Sequence, residues 1–468
     1  MISQLKNKFQ RIIKNPAIIS VGLVSTLYLF SRIMGLGRTI LISKNLDKIS
    51  SDIFLKADFI PNQLSSILLM GTIISSVLPI ATRLLQKDKL TKAEDYTKTY
   101  NYFNLVSFLI LSILIVIIIL CQFFLEPLLR LVTDSETYTR YETLGKLDEF
   151  IFAARVLLLT PINFAIQALF GVLLNLKNRF NIFAVAGVVT NFGAISGVLV
   201  ATSTNFITLP IGMLLGGFIS CLIYIYYAVK DGYRFPSNIF DFVYWSKLFK
   251  IYSKELIDTA KVFLPRIFLI DGFLVSYAAM ATFKTPDGQI TAFDFATSIQ
   301  GAFYILISSI GIILFPNISR IVNDKTVGTK KFWDKIHGYL KTTIILGFVV
   351  SILAIPGSYL VIKIFESFGK LQGVEQNAYI ILLTSVSSFR LFFMAIKEVL
   401  DKVFYSRESK YLPIGLSVIA NVVQVVFIWS LAQNYDVGVV ASVGLMVYYA
   451  VWVILALFRV RWEVREIN

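Results

Sequence analysis

Residues 180–229 read FNIFAVAGVVTNFGAISGVLVATSTNFITLPIGMLLGGFISCLIYIYYAV, fifty consecutive positions without an Asp, Glu, Lys or Arg. A helix rises about 1.5 Å per residue, so about 20 residues cross the roughly 30 Å of hydrocarbon in a bilayer. Fifty apolar residues are too many for one crossing and suit two, with Ser203-Thr204-Asn205 as the turn between them. Five more charge-free runs, 99–125, 295–319, 342–362, 411–435 and 437–458, each fit one crossing. The whole chain of 468 residues agrees: 56% is AVILMFWYC, mean hydropathy is +0.73 and only 16% is charged, where soluble domains carry about 25%. The expected fold class is therefore an all-α polytopic membrane protein of about twelve spans. They are placed at 16–43, 54–83, 102–128, 150–176, 181–202, 206–229, 258–283, 292–320, 340–365, 377–404, 411–433 and 437–458.

The distribution of charge decides what the net +15 means. Lys and Arg do not form one patch, which argues against a nucleic-acid partner. They collect in alternate loops, and with a cytoplasmic N-terminus the inside segments outnumber the outside ones by more than three to one. Basic loops stay inside, so both termini are expected in the cytoplasm. The first 15 residues, MISQLKNKFQRIIKN, form a basic lead-in with no cleavage-type site after it. Cys121 and Cys221 lie in apolar runs and His337 in a Lys-rich loop. There is no CxxC or HxxxH spacing for a metal and no GxxxxGK[ST] loop for a nucleotide. Nothing points to catalysis, a bound metal or a cofactor.

Three spacings suggest an internal repeat. LPIATRL at 78–84 and FPNISRI at 315–321 both place a Pro ahead of an Arg at the end of a span. Lys177 precedes Asn191 by fourteen residues, as Arg407 precedes Asn421. Arg155 and Arg390 occupy the fourth and tenth spans. Transporters are often built from two related halves. The expectation is two parallel six-helix halves, 1–232 and 258–468, joined by a cytoplasmic linker at 233–257.

Charge inside a span costs about 2.5–3.5 kcal/mol on insertion scales and marks a cavity or a partner. The charges fall on the first span (Arg32, Arg38), the second (Asp52, Lys56, Asp58), the fourth (Asp148, Glu149, Arg155), the seventh (Arg266, Asp271), the eighth (Asp294) and the tenth (Arg390). These six are expected to line a polar central cavity. Lys397 with Asp401 and Glu398 with Lys402 are i,i+4 pairs that neutralise one another, and Asp52 with Lys56 has the same spacing. Arg32 and Arg38 are six residues apart, about 120° around a regular helix. Gly35 and Gly37 between them are candidate bends that would aim both at one cavity.

The segment Ser31-Arg32-Ile33-Met34-Gly35-Leu36-Gly37-Arg38 resembles the first-helix signature of the MurJ lipid II flippase family, in the MOP superfamily. Asp52, Ala57 and Ile60-Pro61-Asn62 are similar to the family's second-helix stretch, and 277–296 and Phe315 to Arg320 to its helix 7–8 region. The resemblance implies a flippase moving a polyprenyl-diphosphate-linked sugar precursor, lipid II for peptidoglycan synthesis, across the bacterial cytoplasmic membrane. It implies Arg32 and Arg38 as substrate-binding residues; Ser31, Asp52 and Asn62 in the matched stretches and Arg266, Asp271 and Asp294 among the charged spans complete the candidate substrate-binding set, with Gly35, Gly37 and Pro61 as candidate hinges. It implies a lipid-linked anionic substrate, membrane lipids and other cell-wall synthesis proteins as partners, and the membrane potential or a monovalent ion as driving force. The chain departs from the family pattern at Thr39, Ser65-Ser66, Met70 and Thr297-Ser298, where the family has Asp, Arg-Arg, an acid and Asp-Arg. The family's usual last two helices have no counterpart among the twelve spans. The alternatives within the superfamily are a polysaccharide-type flippase and an ion-coupled MATE-like exporter, the latter built on Asp271 and Asp294.

Overall fold

The structure is a computed structural model and describes residues 16–68, 72–90, 97–177, 179–202, 205–239, 241–267, 272–304, 307, 329–367, 374–406 and 411–465. It is all-helical among these residues; its one β pairing is an isolated bridge between Thr202 and Asn205. The helices are α1 (Pro16–Asn45), α2 (Lys48–Leu68), α3 (Thr72–Leu90), α4 (Thr97–Phe123), α5 (Leu125–Val132), α6 (Ser135–Thr143), α7 (Leu147–Leu157), α8 (Thr160–Leu176), α9 (Phe180–Val200) and α10 (Thr208–Lys230). There follow α11 (Phe242–Ile251), α12 (Ser253–Ile267), α13 (Gly272–Thr282), α14 (289–304), α15 (Thr329–Ser367), α16 (Val374–Ser387), α17 (Arg390–Ser406), α18 (Leu412–Leu431) and α19 (Val437–Arg465).

The fifty-residue run folds as read, into α9 and α10 with the Thr202–Asn205 bridge at the turn. Glycine lets the two helices touch backbone to backbone. A Cβ built on Gly193 would lie 2.5 Å from Gly216 Cα, and one on Gly212 would lie 2.5 Å from the Gly193 carbonyl oxygen. Small residues at such a seam give close van der Waals packing where lipid supplies no hydrophobic drive. Gly193→Leu is therefore expected to abolish the folded protein. A size-exclusion profile in mild detergent that showed the variant monodisperse, with wild-type melting, would contradict the seam.

Six helices among the described residues are long and apolar enough to cross a membrane: Thr97–Phe123, Leu147–Leu176, Thr208–Lys230, Ile336–Ile364, Leu412–Leu431 and Val437–Arg461. A seventh is the bent pair Asn377–Ser387 and Arg390–Asp401, at 42°. Shorter apolar stretches occur at 33–42, 185–200 and 272–282, on α1, α9 and α13. Most of the remaining expected spans are the ones that carry charge or are broken, α1, α2 with α3, α12 with α13, and α14. Apolar side chains such as Ile113, Val116, Leu120, Leu353, Leu360, Val422 and Val426 face outward on the long helices, as a lipid belt requires.

Three segments differ from the sequence expectation. The loop 129–149 contains α6, whose start is capped by Asp134 accepting from the Thr137 amide at 2.9 Å. The segment 233–257, expected as a linker, contains α11, capped by Asp241 accepting from the Val243 amide at 2.8 Å. Short capped helices of mixed polarity leave no run for a hydropathy reading to find. The ninth span, placed at 340–365, is part of a helix that starts at Thr329, because no Pro or Gly interrupts residues 329–337.

Two breaks carry the repeat spacing. The fourth span is interrupted at 158–159, between α7 and α8, and the tenth at 388–389, between α16 and α17. These breaks are 230 residues apart, the same offset that separates Lys177 from Arg407 and Asn191 from Asn421.

Candidate functional site

The Asp52 carboxylate is buried and takes three hydrogen bonds from one distant turn. The Gly288 amide donates at 2.6 Å, the Thr291 amide at 3.1 Å and the Thr291 hydroxyl at 2.7 Å. First-turn amides of a helix lack partners inside it, so Asp52, on α2, acts as the cap of α14. Gly288 holds a φ of +82° at this turn, where a Cβ would be strained. The same junction is tied elsewhere. The Tyr277 hydroxyl donates to the Leu55 carbonyl at 2.9 Å, and its ring stacks on Phe59 at 5.7 Å. Lys56 does not pair with Asp52 within salt-bridge distance; its ammonium lies 3.7 Å from Asp134, the cap of α6. Farther out, Arg140 makes a two-pronged contact with Asp287 at 2.8 and 2.7 Å, and Lys284 holds Glu136 at 2.6 and 2.7 Å. Every one of these bonds, the Lys56 contact apart, joins a segment before residue 150 to one after residue 270.

Inward from the junction three charges from three helices meet. Arg38 on α1, Asp58 on α2 and Asp294 on α14 are each partly buried, and the arginine's charge acts on both carboxylates. None of these pairs closes to a salt bridge of 4.0 Å or less, and the Arg38 Nε is buried without a hydrogen-bond partner. A guanidinium offers five donors in a planar fork. On the adjoining, differently facing position of α1, a Cβ on Gly37 would meet nothing within 4 Å.

The other expected site residues fall into three groups. Asn62 lies one turn beyond Asp58 on the same face of α2 and is half-buried. Ser31 is engaged in helix packing: the Asn191 amide on α9 donates to its carbonyl at 3.0 Å and its hydroxyl at 3.2 Å. The side chains of Arg32 and Arg266, and Asp271 as a whole, lie outside the described residues. As for the hinges, α1 runs through Gly35 and Gly37, and α2 through Pro61, without a break. Arg155 is exposed while Arg390 is buried, so these two repeat positions stand in different surroundings. No group of three or more potential metal ligands occurs among the described residues.

Sequence reasoning missed two features. Asp58 was visible as a charge in a span, but only the fold sets it beside Arg38. Lys397 does pair with Asp401 at 2.5 Å as the i,i+4 spacing implied. The side chain of Lys402, the expected partner of Glu398, lies outside the described residues; Glu398 also accepts from the Tyr304 hydroxyl at 3.1 Å, and this group opens on a cavity of about 280 Å³ with Ser417 and Tyr448. Its counterpart in that bond lies 94 residues away, so no local spacing announces it.

A sequence model described as lipid II flippase MurJ matches residues 47–466. A probable lipid II flippase MurJ of Borreliella burgdorferi is 24% identical over 431 residues, covering 88% of this chain and 77% of the relative. One from Bdellovibrio bacteriovorus is 23% identical over 466 residues, covering 94% and 82%. Among solved structures, a lipid II flippase MurJ in an inward closed conformation superposes with a TM-score of 0.75 at 18% identity, over 94% of this chain and 87% of that one. An outward-facing multidrug resistance MATE transporter of the MOP superfamily superposes at 0.64 with 14% identity, over 96% of each chain. The two structural likenesses establish a MOP-type transporter fold.

Proposed function

The chain belongs to the lipid II flippase MurJ family, and from that premise we propose that Arg38 is where its lipid-linked substrate is gripped during transport. The substrate is lipid II, a polyprenyl-diphosphate-linked precursor of peptidoglycan, and the membrane is the bacterial cytoplasmic membrane. One observation carries the assignment of the site. Arg38 sits in the field of two carboxylates yet touches neither, with a buried Nε that has no partner. Arginine stays protonated and binds phosphate oxygens in a two-pronged geometry that lysine cannot copy.

Asp58 and Asp294 give that grip a release. With the site empty they offset the arginine's charge across α1, α2 and α14. An arriving diphosphate takes the guanidinium and repels the two acids, so the loaded site is under electrostatic tension. Two unit charges 6 Å apart interact by about 3 kcal/mol at an effective dielectric of 20. Asp294→Asn is therefore expected to bind substrate about tenfold more tightly and turn over more slowly. Transport kinetics in proteoliposomes separate the two effects, and an unchanged KM with a lowered rate would leave Asp294 a structural residue.

The larger cycle follows from the junction. We read residues 1–232 and 258–468 as two halves, a reading supported by the 230-residue offset of the breaks at 158–159 and 388–389. The bonds from Asp52 to Gly288 and Thr291, with Arg140–Asp287 and Lys284–Glu136, tie the two together at one end. That end is the outer one if both termini are cytoplasmic. Rocking about the charged cluster would break this tie and open the outer face. The membrane potential, worth about 2.3 kcal/mol per charge per 100 mV, or a monovalent ion would supply the drive. The test is depletion of the protein in cells. Lipid II should accumulate, as identified by mass spectrometry of extracted lipids, and wild-type protein should clear it. Cells that accumulate no lipid intermediate and instead lose efflux of small solutes would replace this reading with ion-coupled export.

A further inference from the structure

We propose that α11, in the segment between the two halves, is a membrane-surface element that binds the headgroups of anionic phospholipids. The helix buries one side and presents the other. Trp245 and Leu248 are buried, and the Trp245 ring stacks on Phe108 of α4 at 4.2 Å. The opposite side carries Phe242, 83% exposed, and Val243, 72% exposed, with Ile251 at the far end. Lys247 and Lys250 stand between them, and together with Ser246 these residues line an open groove of about 410 Å³. Large apolar side chains at that exposure are out of place in water and mark a contact surface.

The stack on Phe108 sets the depth of the helix. Lys98 is the last charged residue of α4 before its charge-free run, and Phe108 is ten residues farther along. At a rise of about 1.5 Å per residue that is roughly 15 Å, more than the ~5–8 Å of headgroup on each side of the hydrocarbon. Phe108 therefore lies below the headgroups on the lipid face of α4. A helix held against it sits at the boundary of headgroups and chains, where amphipathic interfacial helices bury about 5–10 Å. The surface is continuous with the lipid belt, which identifies the occupant as lipid.

Charge selects which lipid. Lys247 and Lys250 are exposed and have no ion-pair partner among the described residues. Their flexible stems reach a phosphate above apolar neighbours. Exposed Arg234 and Lys254 flank them. Of the nearby acids, Asp231 pairs with Arg179, Asp258 with Arg83 and Asp241 accepts from the Val243 amide, which leaves the half-buried Glu255 against four exposed basic residues. What remains facing the leaflet is positive. This inference concerns lipid around the protein and stands whether or not Arg38 grips a diphosphate.

The test uses the full-length protein in mild detergent, with phosphatidylglycerol or phosphatidylcholine added and bound lipids counted by native mass spectrometry. Each basic residue near an anionic surface is worth about a factor of five. Wild type should retain phosphatidylglycerol in preference to phosphatidylcholine. K247Q/K250Q should lose that preference about 25-fold for one bound lipid, with unchanged melting, and K247R/K250R should keep it. F242S/V243S should weaken retention of both lipids. Equal retention of the two lipids by wild type, or wild-type preference in K247Q/K250Q, overturns the proposal.

Discussion

Arg38→Ala is expected to abolish complementation of a depleted strain while the protein remains folded and inserted. A loss of at least 100-fold in transport is the corresponding expectation in vitro, since hydrogen bonds to a charged partner are worth about 1.5–3 kcal/mol and an arginine fork makes two. The reason for separating activity from stability lies in the pairing. Removing one partner of a closed buried salt bridge destabilises a protein by about 3–5 kcal/mol. Arg38 closes no such bridge with Asp58 or Asp294 and leaves its Nε unpartnered, so its loss should cost the fold far less than that. Arg38→Lys should restore activity only in part, because a point charge cannot reproduce the planar fork. Complementation run beside thermal melting of purified protein decides the matter. Full activity in Arg38→Ala, or inactivity fully explained by absent protein, moves Arg38 from binding to structure.

Asp52→Ala should behave in the opposite way, as a stability and gating variant. It strands the Gly288 amide and the Thr291 amide and hydroxyl, three donors now satisfied by one buried carboxylate. Each buried donor left without a partner costs about 1–3 kcal/mol, so a loss of at least about 3 kcal/mol in the tied state is expected. The loss should appear as a melting temperature lower by several degrees. It should also raise labelling of a cysteine introduced at Gln289, beside the junction. Wild-type melting together with wild-type labelling would show that the junction is not held by Asp52.

Much of this architecture could be read in advance because lipid imposes coarse requirements on sequence. The charge-free run at 180–229 fixed α9, α10 and the turn between them, and its glycines lie at their seam. The charges singled out at Arg38 and Asp294 do meet, with Asp58, in one cluster. What could not be read depends on distance along the chain or on weak local patterns. Asp52 finds its donors 236 and 239 residues away, and nothing near it in sequence announces a helix to cap. Its neighbour Lys56 satisfied an i,i+4 rule with Asp52 and yet takes Asp134, because the fold placed a capped helix over it. Ser31, matched as part of a binding signature, is occupied by Asn191. The break at 158–159 lies within Leu157-Leu158-Leu159 and leaves the hydropathy unchanged, while the one at 388–389 sits beside Ser387, Ser388 and Arg390, which a hydropathy reading takes as polar positions in a continuous span. The helices α6 and α11 are too short and too mixed to stand out from loops.

The most direct test of the central claim is the rate at which labelled lipid II changes leaflets in proteoliposomes, read as fluorescence lost to a membrane-impermeant quencher. The account predicts that wild-type protein exposes lipid II to the quencher well above the protein-free rate, and that Arg38→Ala, reconstituted at equal density, returns to the protein-free rate. Wild-type vesicles indistinguishable from empty ones, or Arg38→Ala vesicles indistinguishable from wild type, would contradict it.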